Sequence, residues 1–275
     1  MIYEKYLWRT DSAGYINNEL KLPRLPYKTI LNEIVKSLKN IGRNLISIFL
    51  RGSAAFDNVE MGISDLDLIV VVKRKDEETL NLIKKLSKYY SVQYKQYFCE
   101  ISIASFEESY FISDEFSFFS KFVIKTQSIC LYGINYSASI EKIPLNHKIY
   151  SLDISYCRNK LQIFDNNINS LKSDEKEKIS YLCRHISKYL IRTIFAILAS
   201  QQRPLQYSRD IRCCFEIINL ESPVWANRLN TFYKWVRCPT DNLELLTQKF
   251  KNLAPLIKSE CQIWLENKER KKSIE

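Results

Sequence analysis

Apolar residues in the first half of the chain recur with two different periods. Over Tyr27–Lys39, Ile30, Leu31, Ile34, Val35 and Leu38 fall at helical spacing, which predicts an amphipathic helix. Leu45–Leu50 is an unbroken apolar run that stops at Arg51-Gly52, the pattern of a short buried strand. Asp65–Lys73 predicts a second strand, a Lys/Glu/Leu-rich helix follows over about Asp76–Tyr89, and Tyr97–Ile103 predicts a third strand. Aromatic-rich helical sequence then leads to Ile129–Tyr132 and a turn at Gly133. Beyond about residue 146 the strand pattern disappears. Ser151–Asn166, Glu175–Ser200, Ser208–Ile218, Val224–Trp235 and Asn242–Lys268 each predict a helix, and Pro204, Pro223 and Pro239 fall between these segments, where proline bounds a helix. The expected architecture is an α/β domain over residues 1–145, a small mixed sheet flanked by helices, followed by an all-α helical bundle over residues 146–275.

Composition narrows the class of protein. With 275 residues, 46% of them hydrophobic and 13% aromatic, the chain can bury a sizeable core and is not a disordered protein. Its eight cysteines are scattered without a Cys-x-x-Cys pair, which excludes a zinc ribbon or a thioredoxin-like motif. Disulfide frameworks belong to much shorter secreted chains, so reduced thiols are expected. The first residues, Met1-Ile-Tyr-Glu-Lys, lack the apolar stretch of a signal peptide. The apolar segments Asp67–Val72 and Tyr189–Ala199 are too short to span a bilayer, so a cytoplasmic protein with no membrane partner is expected. Two histidines, His147 and His185, leave few members for a Ser-His-Asp triad or a His-rich metal site. There is no Walker A loop and no Gly-x-Gly-x-x-Gly.

Charge adds a bias toward anions. Lys+Arg against Asp+Glu gives 41 − 31 = +10 overall. Residues 1–145 carry 19 basic and 17 acidic side chains (+2), and residues 146–275 carry 22 and 14 (+8). Such a surplus suits a triphosphate or a nucleic acid, with a generally solvated basic surface as the plain alternative.

The chemistry concentrates in Arg51-Gly52-Ser53-Ala54-Ala55-Phe56-Asp57 and, after a short spacer, Ser64-Asp65-Leu66-Asp67-Leu68-Ile69-Val70-Val71. Strand alternation puts Asp65 and Asp67 on one face and Leu66, Leu68 and Val70 on the other. Two like charges held side by side repel, and a divalent cation between them removes the conflict. Hard carboxylate oxygens suit Mg²⁺, which also binds substrate phosphates. Gly52 lets the backbone approach a phosphate, and Ser53 can donate its hydroxyl and N–H. In Phe98-Cys99-Glu100-Ile101-Ser102-Ile103, Glu100 is an acid expected in mid-strand, where a charge is costly unless paired or metal-bound. It is a candidate for a second metal ion or for the general base, with an edge-strand glutamate facing water as the alternative.

The Gly52-Ser53 pair, the spacer and Asp65-Leu66-Asp67 on an apolar strand resemble the motif of the DNA polymerase β-like nucleotidyltransferase superfamily. In layout the chain is similar to the bacterial streptomycin- and spectinomycin-type aminoglycoside adenylyltransferases, with a catalytic domain followed by a helical one. That group uses a glutamate one strand later as catalytic base, and the matching segment here holds Glu100. The resemblance implies a nucleotidyltransferase that moves a nucleoside monophosphate, AMP from ATP, onto an acceptor hydroxyl and releases pyrophosphate. It implies two Mg²⁺ ions on Asp65, Asp67 and Glu100, with Gly52 and Ser53 at the triphosphate.

Related enzymes draw further phosphate-binding cations from the helical domain. Arg184, Lys188 and Arg192 share one face of the helix Glu175–Ser200, and Lys188, Arg192 and Arg203 are the candidates, with a solvated basic stripe as the alternative. Arg209-Asp210 could reach the cleft, while Ser208 is equally well explained as a helix N-cap. The acceptor is left open between an aminoglycoside-like small molecule, a tRNA and a protein. A helical domain at +8 fits a polycationic antibiotic poorly and an anionic acceptor better. The reading from a different class is a nucleotide-binding regulatory module without turnover, for instance one half of a toxin–antitoxin pair.

Overall fold

The computed structural model describes residues 7–8, 10–16, 19–202 and 204–272. Contacts divide the chain into two compact units, Tyr15–Pro144 and a second formed by Leu145–Glu275 together with Met1–Gly14. The hydrophobic pattern runs the first domain from residue 1 to 145. The contacts instead group the segment before Tyr15 with the helices, where the Trp8 ring packs 5.1 Å from that of Tyr207 and the backbone N–H of Trp8 donates to the Tyr207 carbonyl at 2.8 Å.

In the first unit, α1 (Tyr27–Leu38) leads through a 3-10 segment into β1 (Leu45–Arg51), and a second 3-10 turn, Gly52–Ala55, follows directly. Then come β2 (Leu66–Val72), α2 (Glu77–Gln93), β3 (Ile101–Glu107), the short α3 (Glu108–Ile112), α4 (Phe118–Gln127) and β4 (Ser128–Gly133). The sheet has the order β3-β2-β1-β4. β1 runs antiparallel to both β2 and β4, while β2 and β3 are parallel, so the sheet is mixed.

Both faces of the sheet are covered, which explains why β1 and β2 read as unbroken apolar runs. On one face Ile48, Leu50, Leu66, Leu68, Val70 and Val72 pack with Ile30, Leu31, Ile34 and Leu38 of α1 and Ile83 and Tyr90 of α2. On the other, Phe49, Ile69 and Val71 meet Phe111, Phe116 and Ile124. Alternation along β2 therefore assigns Asp67 to the face of Ile69 and Val71.

Two tyrosines tie α1 to the end of α2. Ser37 Oγ and Tyr90 Oη lie 2.6 Å apart, and the Tyr94 hydroxyl donates to Glu33 at 2.5 Å. β4 ends at Gly133, whose φ of 76° is left-handed; a Cβ there would collide with the Ile46 carbonyl of β1.

The third strand begins later than expected. Residues 97 and 98 donate their N–H groups to the Tyr94 carbonyl in the turn that closes α2, so the chain joins the strand only at Ile101 and Glu100 precedes it. The ladder does extend a little earlier through single bonds, from Cys99 N to Ser64 O at 3.1 Å and from Leu66 N to Glu100 O at 2.9 Å.

The second unit is helical: α5 (His147–Ser155), α6 (Cys157–Ser170), α7 (Lys176–Ala199), α8 (Ile211–Glu221), α9 (Pro223–Arg237) and α10 (Leu243–Lys272). α7 is buried along most of its length, with Ile179, Leu182, Ile186, Leu190, Ile191, Ile194 and Phe195 among its core residues. The single helix expected over Ser151–Asn166 is two, divided at Tyr156. The cap expected at Ser208 belongs to Asp210, whose carboxylate accepts from Cys213 N at 2.9 Å. Ser208 instead supports that cap, its hydroxyl accepting from Asp210 N at 3.1 Å. Among the described residues no helix is long and apolar enough to cross a membrane.

Two outcomes follow from this packing. Phe49 is fully buried against Phe111, so Phe49→Ala should cost about 3–5 kcal/mol, read from denaturant unfolding. The Glu33 carboxylate, followed by burial, raises Tyr94 to about 12. The bond therefore stabilises the fold fully below the ordinary tyrosine range and is lost as pH rises through about 12. The wild-type-minus-Tyr94→Phe difference in phenolate absorbance should show its midpoint there, and a midpoint near the ordinary value would show the bond is absent.

Candidate active site

β1 delivers the chain into Gly52, whose φ of 76° lies in the left-handed region. A Cβ at this position would sit 2.9 Å from Asp67 Oδ2, so glycine satisfies both the backbone turn and the close approach of a carboxylate. Ser53 opens the next turn, its carbonyl accepting from Phe56 N at 3.1 Å and Asn58 N at 3.0 Å, while Ala54 and Ala55 are buried beneath it. Asp57, also at positive φ, accepts from Arg24 N at 2.8 Å and pairs with its guanidinium at 2.9 Å. Asp57 therefore fixes the loop on Arg24.

Asp65 immediately precedes β2 and Asp67 is its second residue. The approach is held by Ser64, whose hydroxyl accepts from Glu60 N at 2.9 Å. Asp67 stands opposite Arg51 in the β1–β2 register, and the Arg51 guanidinium donates to Asp67 Oδ1 at 3.3 Å. The pair is partly exposed, at 37% for Arg51 and 25% for Asp67, so solvent screens it. Among the described residues, the buried Arg51 Nε has no hydrogen-bond partner. At Asp65, the Cys99 thiol donates to Oδ1 at 2.6 Å and lies 3.2 Å from the Ile63 carbonyl.

The parallel β2–β3 register pairs Asp67 with Ser102 and Leu66 with Ile101. The Leu66 N–H to Glu100 O bond continues it by one residue and brings the Glu100 backbone beside that of Asp65. All three acids thus lie at the same end of neighbouring strands. They do not close into a trio: among the described residues, no three His, Cys, Asp or Glu side chains gather closely enough to hold a metal ion. The late start of β3 leaves Glu100, the third acid of the expected ligand set, in the approach to the strand.

In the helical unit, the stripe on α7 is partly committed to backbone. Arg192 donates through Nε and Nη2 to the Arg209 carbonyl at 3.3 and 2.9 Å, and Arg184 Nε donates to Val236 O at 3.1 Å. Lys188 is half-buried on the same helix, and Arg203 lies outside the described residues. Pattern reasoning missed the groups that touch the aspartates, Arg51 and Cys99. Each sits one residue before a position that the sequence singled out, Gly52 and Glu100, and only the strand pairing reveals its partner.

A strand ending in a left-handed glycine turn, an antiparallel neighbour headed by two aspartates and a parallel third strand define a nucleotidyltransferase domain, and residues 30–122 match the family model described as such. Over those residues the chain is similar to nucleotidyltransferase domains. Its fold is similar to that of spectinomycin adenyltransferase AAD(9) from Enterococcus faecialis, solved with ATP and spectinomycin, at a TM-score of 0.50 and 14% identity. The similarity covers 82% of this chain and 98% of that one. No curated protein matches the sequence.

Gly52→Ala should cost about 1–2 kcal/mol through the left-handed backbone alone. Displacement of the Asp67 carboxylate should lower nucleotide transfer by about a hundredfold, because small misplacements of reacting groups are amplified in the rate. Thermal melts set beside pyrophosphate release check this; a variant with wild-type turnover would show that the glycine matters to the backbone only.

Proposed function

We propose that the protein transfers AMP from ATP to an acceptor hydroxyl with release of pyrophosphate, using Mg²⁺ bound by Asp65 and Asp67. The observation that carries this reading is the pair of aspartates at the head of β2, with Gly52 lacking a side chain beside Asp67 Oδ2. The residues fit the ion in donor chemistry: hard carboxylate oxygens two positions apart on a strand, in an approach that a Cβ would fill. Mg²⁺ commonly takes one or two carboxylates and completes its shell with water and substrate phosphates, so a two-acid site is sufficient. When bound, the ion supplies a charge that offsets the triphosphate and orients its α-phosphorus.

The chain's own groups have separate tasks in this reading. Asp65 and Asp67 hold the ion, and Gly52 and Ser53 offer backbone N–H groups and a hydroxyl to the phosphates. Glu100, whose backbone lies beside Asp65, accepts the proton of the attacking hydroxyl.

ATP as donor and a hydroxylated small molecule as acceptor are supported by the ligands of the similar adenyltransferase, ATP and spectinomycin. The +8 charge of residues 146–275 supports a second reading, in which the acceptor is anionic, such as a tRNA end or an acidic protein surface.

The test is incubation with labelled ATP, CTP, GTP or UTP and Mg²⁺ in the presence of aminocyclitols, total tRNA or lysate protein. The expected result is pyrophosphate release with label from ATP on one acceptor class. Asp65→Asn and Asp67→Asn should each abolish release while leaving the melting curve cooperative. Turnover retained in the double variant overturns the aspartate assignment, and nucleotide binding without transfer to anything supports a regulatory module.

A further inference from the structure

One side-chain contact at the site reaches Asp65 itself. Cys99 Sγ lies 2.6 Å from Asp65 Oδ1, and the backbone N–H of the same residue bonds to Ser64 O at 3.1 Å. The same sulfur is 3.2 Å from the Ile63 carbonyl. Cys99 therefore grips three successive residues, 63 to 65, where the chain enters β2. A single S–H has one proton to give, and the nearer and charged acceptor is the carboxylate.

Side-chain rotation would otherwise let an aspartate just outside a strand turn its carboxylate among several rotamers. A donor fixed in the approach to the neighbouring strand selects one of them. With Oδ1 engaged by the thiol, the plane of the carboxylate and the direction of Oδ2 are set together. Groups that orient a metal-binding carboxylate in this way change metal affinity although they never touch the ion. On the other aspartate, Arg51 plays the corresponding part by donating to Asp67 Oδ1, but as a partly exposed cation it also opposes the ion electrostatically. The neutral thiol orients without adding charge.

We infer that Cys99 is a positioning residue: its thiol holds the Asp65 carboxylate in the orientation that binds the divalent cation. The inference rests on the reading of Asp65 and Asp67 as metal ligands. It assigns no catalytic step to sulfur, and Cys99 exchanges no proton with substrate.

The experiment is Mn²⁺ binding followed by electron paramagnetic resonance on the full chain, without nucleotide turnover. Wild type, Cys99→Ala, Cys99→Val and Cys99→Ser are compared, with melting curves in parallel. Cys99→Ala and Cys99→Val should weaken Mn²⁺ binding by about tenfold or more, the range seen when the orienting partner of a metal ligand is removed. Cys99→Ser keeps a donor of shorter reach and should recover part of the affinity. In an Asp65→Asn background, Cys99→Ala should add no further loss. A purely structural role would lower the melting temperature of all three variants alike and leave the serine without special rescue. If Cys99→Ala unfolds, the near-isosteric valine carries the comparison. Wild-type affinity in Cys99→Ala or Cys99→Val overturns the inference alone. Absence of Mn²⁺ binding in the wild-type protein overturns it together with the reading of the aspartate pair.

Discussion

Two carboxylates at strand spacing repel one another, and that repulsion organises this end of the sheet. Asp65 and Asp67 are held at the head of β2 by backbone bonds that serve the ladder, so neither can withdraw without breaking the strand entry. The surroundings compensate piecemeal. Asp67 receives the Arg51 guanidinium and the side-chain-free approach of Gly52, and Asp65 receives the Cys99 thiol. A charge pair of this kind costs folding energy, which a stable fold tolerates where the charges serve a ligand. The apolar remainder of β2 offsets it, since Leu66, Leu68, Val70 and Val72 are buried on one face and Ile69 and Val71 on the other.

Much of this was legible in the chain. Strands buried on both faces leave an unambiguous signature, so β1 and β2 appear within a residue of the expected bounds. The helical character of the second half was equally plain from spacing and proline punctuation. What escaped depends on which backbone group wins a competition. The start of β3 was misplaced because the N–H groups of Tyr97 and Phe98 go to the turn after α2, a choice that alternation cannot register. The α8 cap fell on Asp210 because its carboxylate outcompetes the Ser208 hydroxyl for the first turn, leaving serine to bond the capping residue itself.

The candidate site divides along the same line. The aspartates and the glycine-serine turn are visible because their period and local geometry are encoded within a dozen neighbouring positions. Arg51 and Cys99 are invisible at that range, since their partners lie 16 and 34 residues away and meet them only through strand pairing. Glu100 shows the opposite failing. Alternation set it in mid-strand, whereas the bonds of Tyr97 and Phe98 to the Tyr94 carbonyl leave it just ahead of β3. The arginines of α7 add a further lesson. A cationic stripe drawn from helical spacing does not reveal which members are occupied with carbonyls, as Arg184 and Arg192 are.

The grouping of the chain into units has a consequence for how it emerges from the ribosome. Tyr15–Pro144 is one uninterrupted stretch whose strands and helices can find all their partners as soon as it has been synthesised. The helical unit cannot, because Trp8 must wait for Tyr207. The segment around Trp8 thus docks only after the sheet has been made, and until then an indole made for burial stays in water. A nascent chain stalled after the sheet would expose that ring to chaperones while the sheet-bearing unit was already complete.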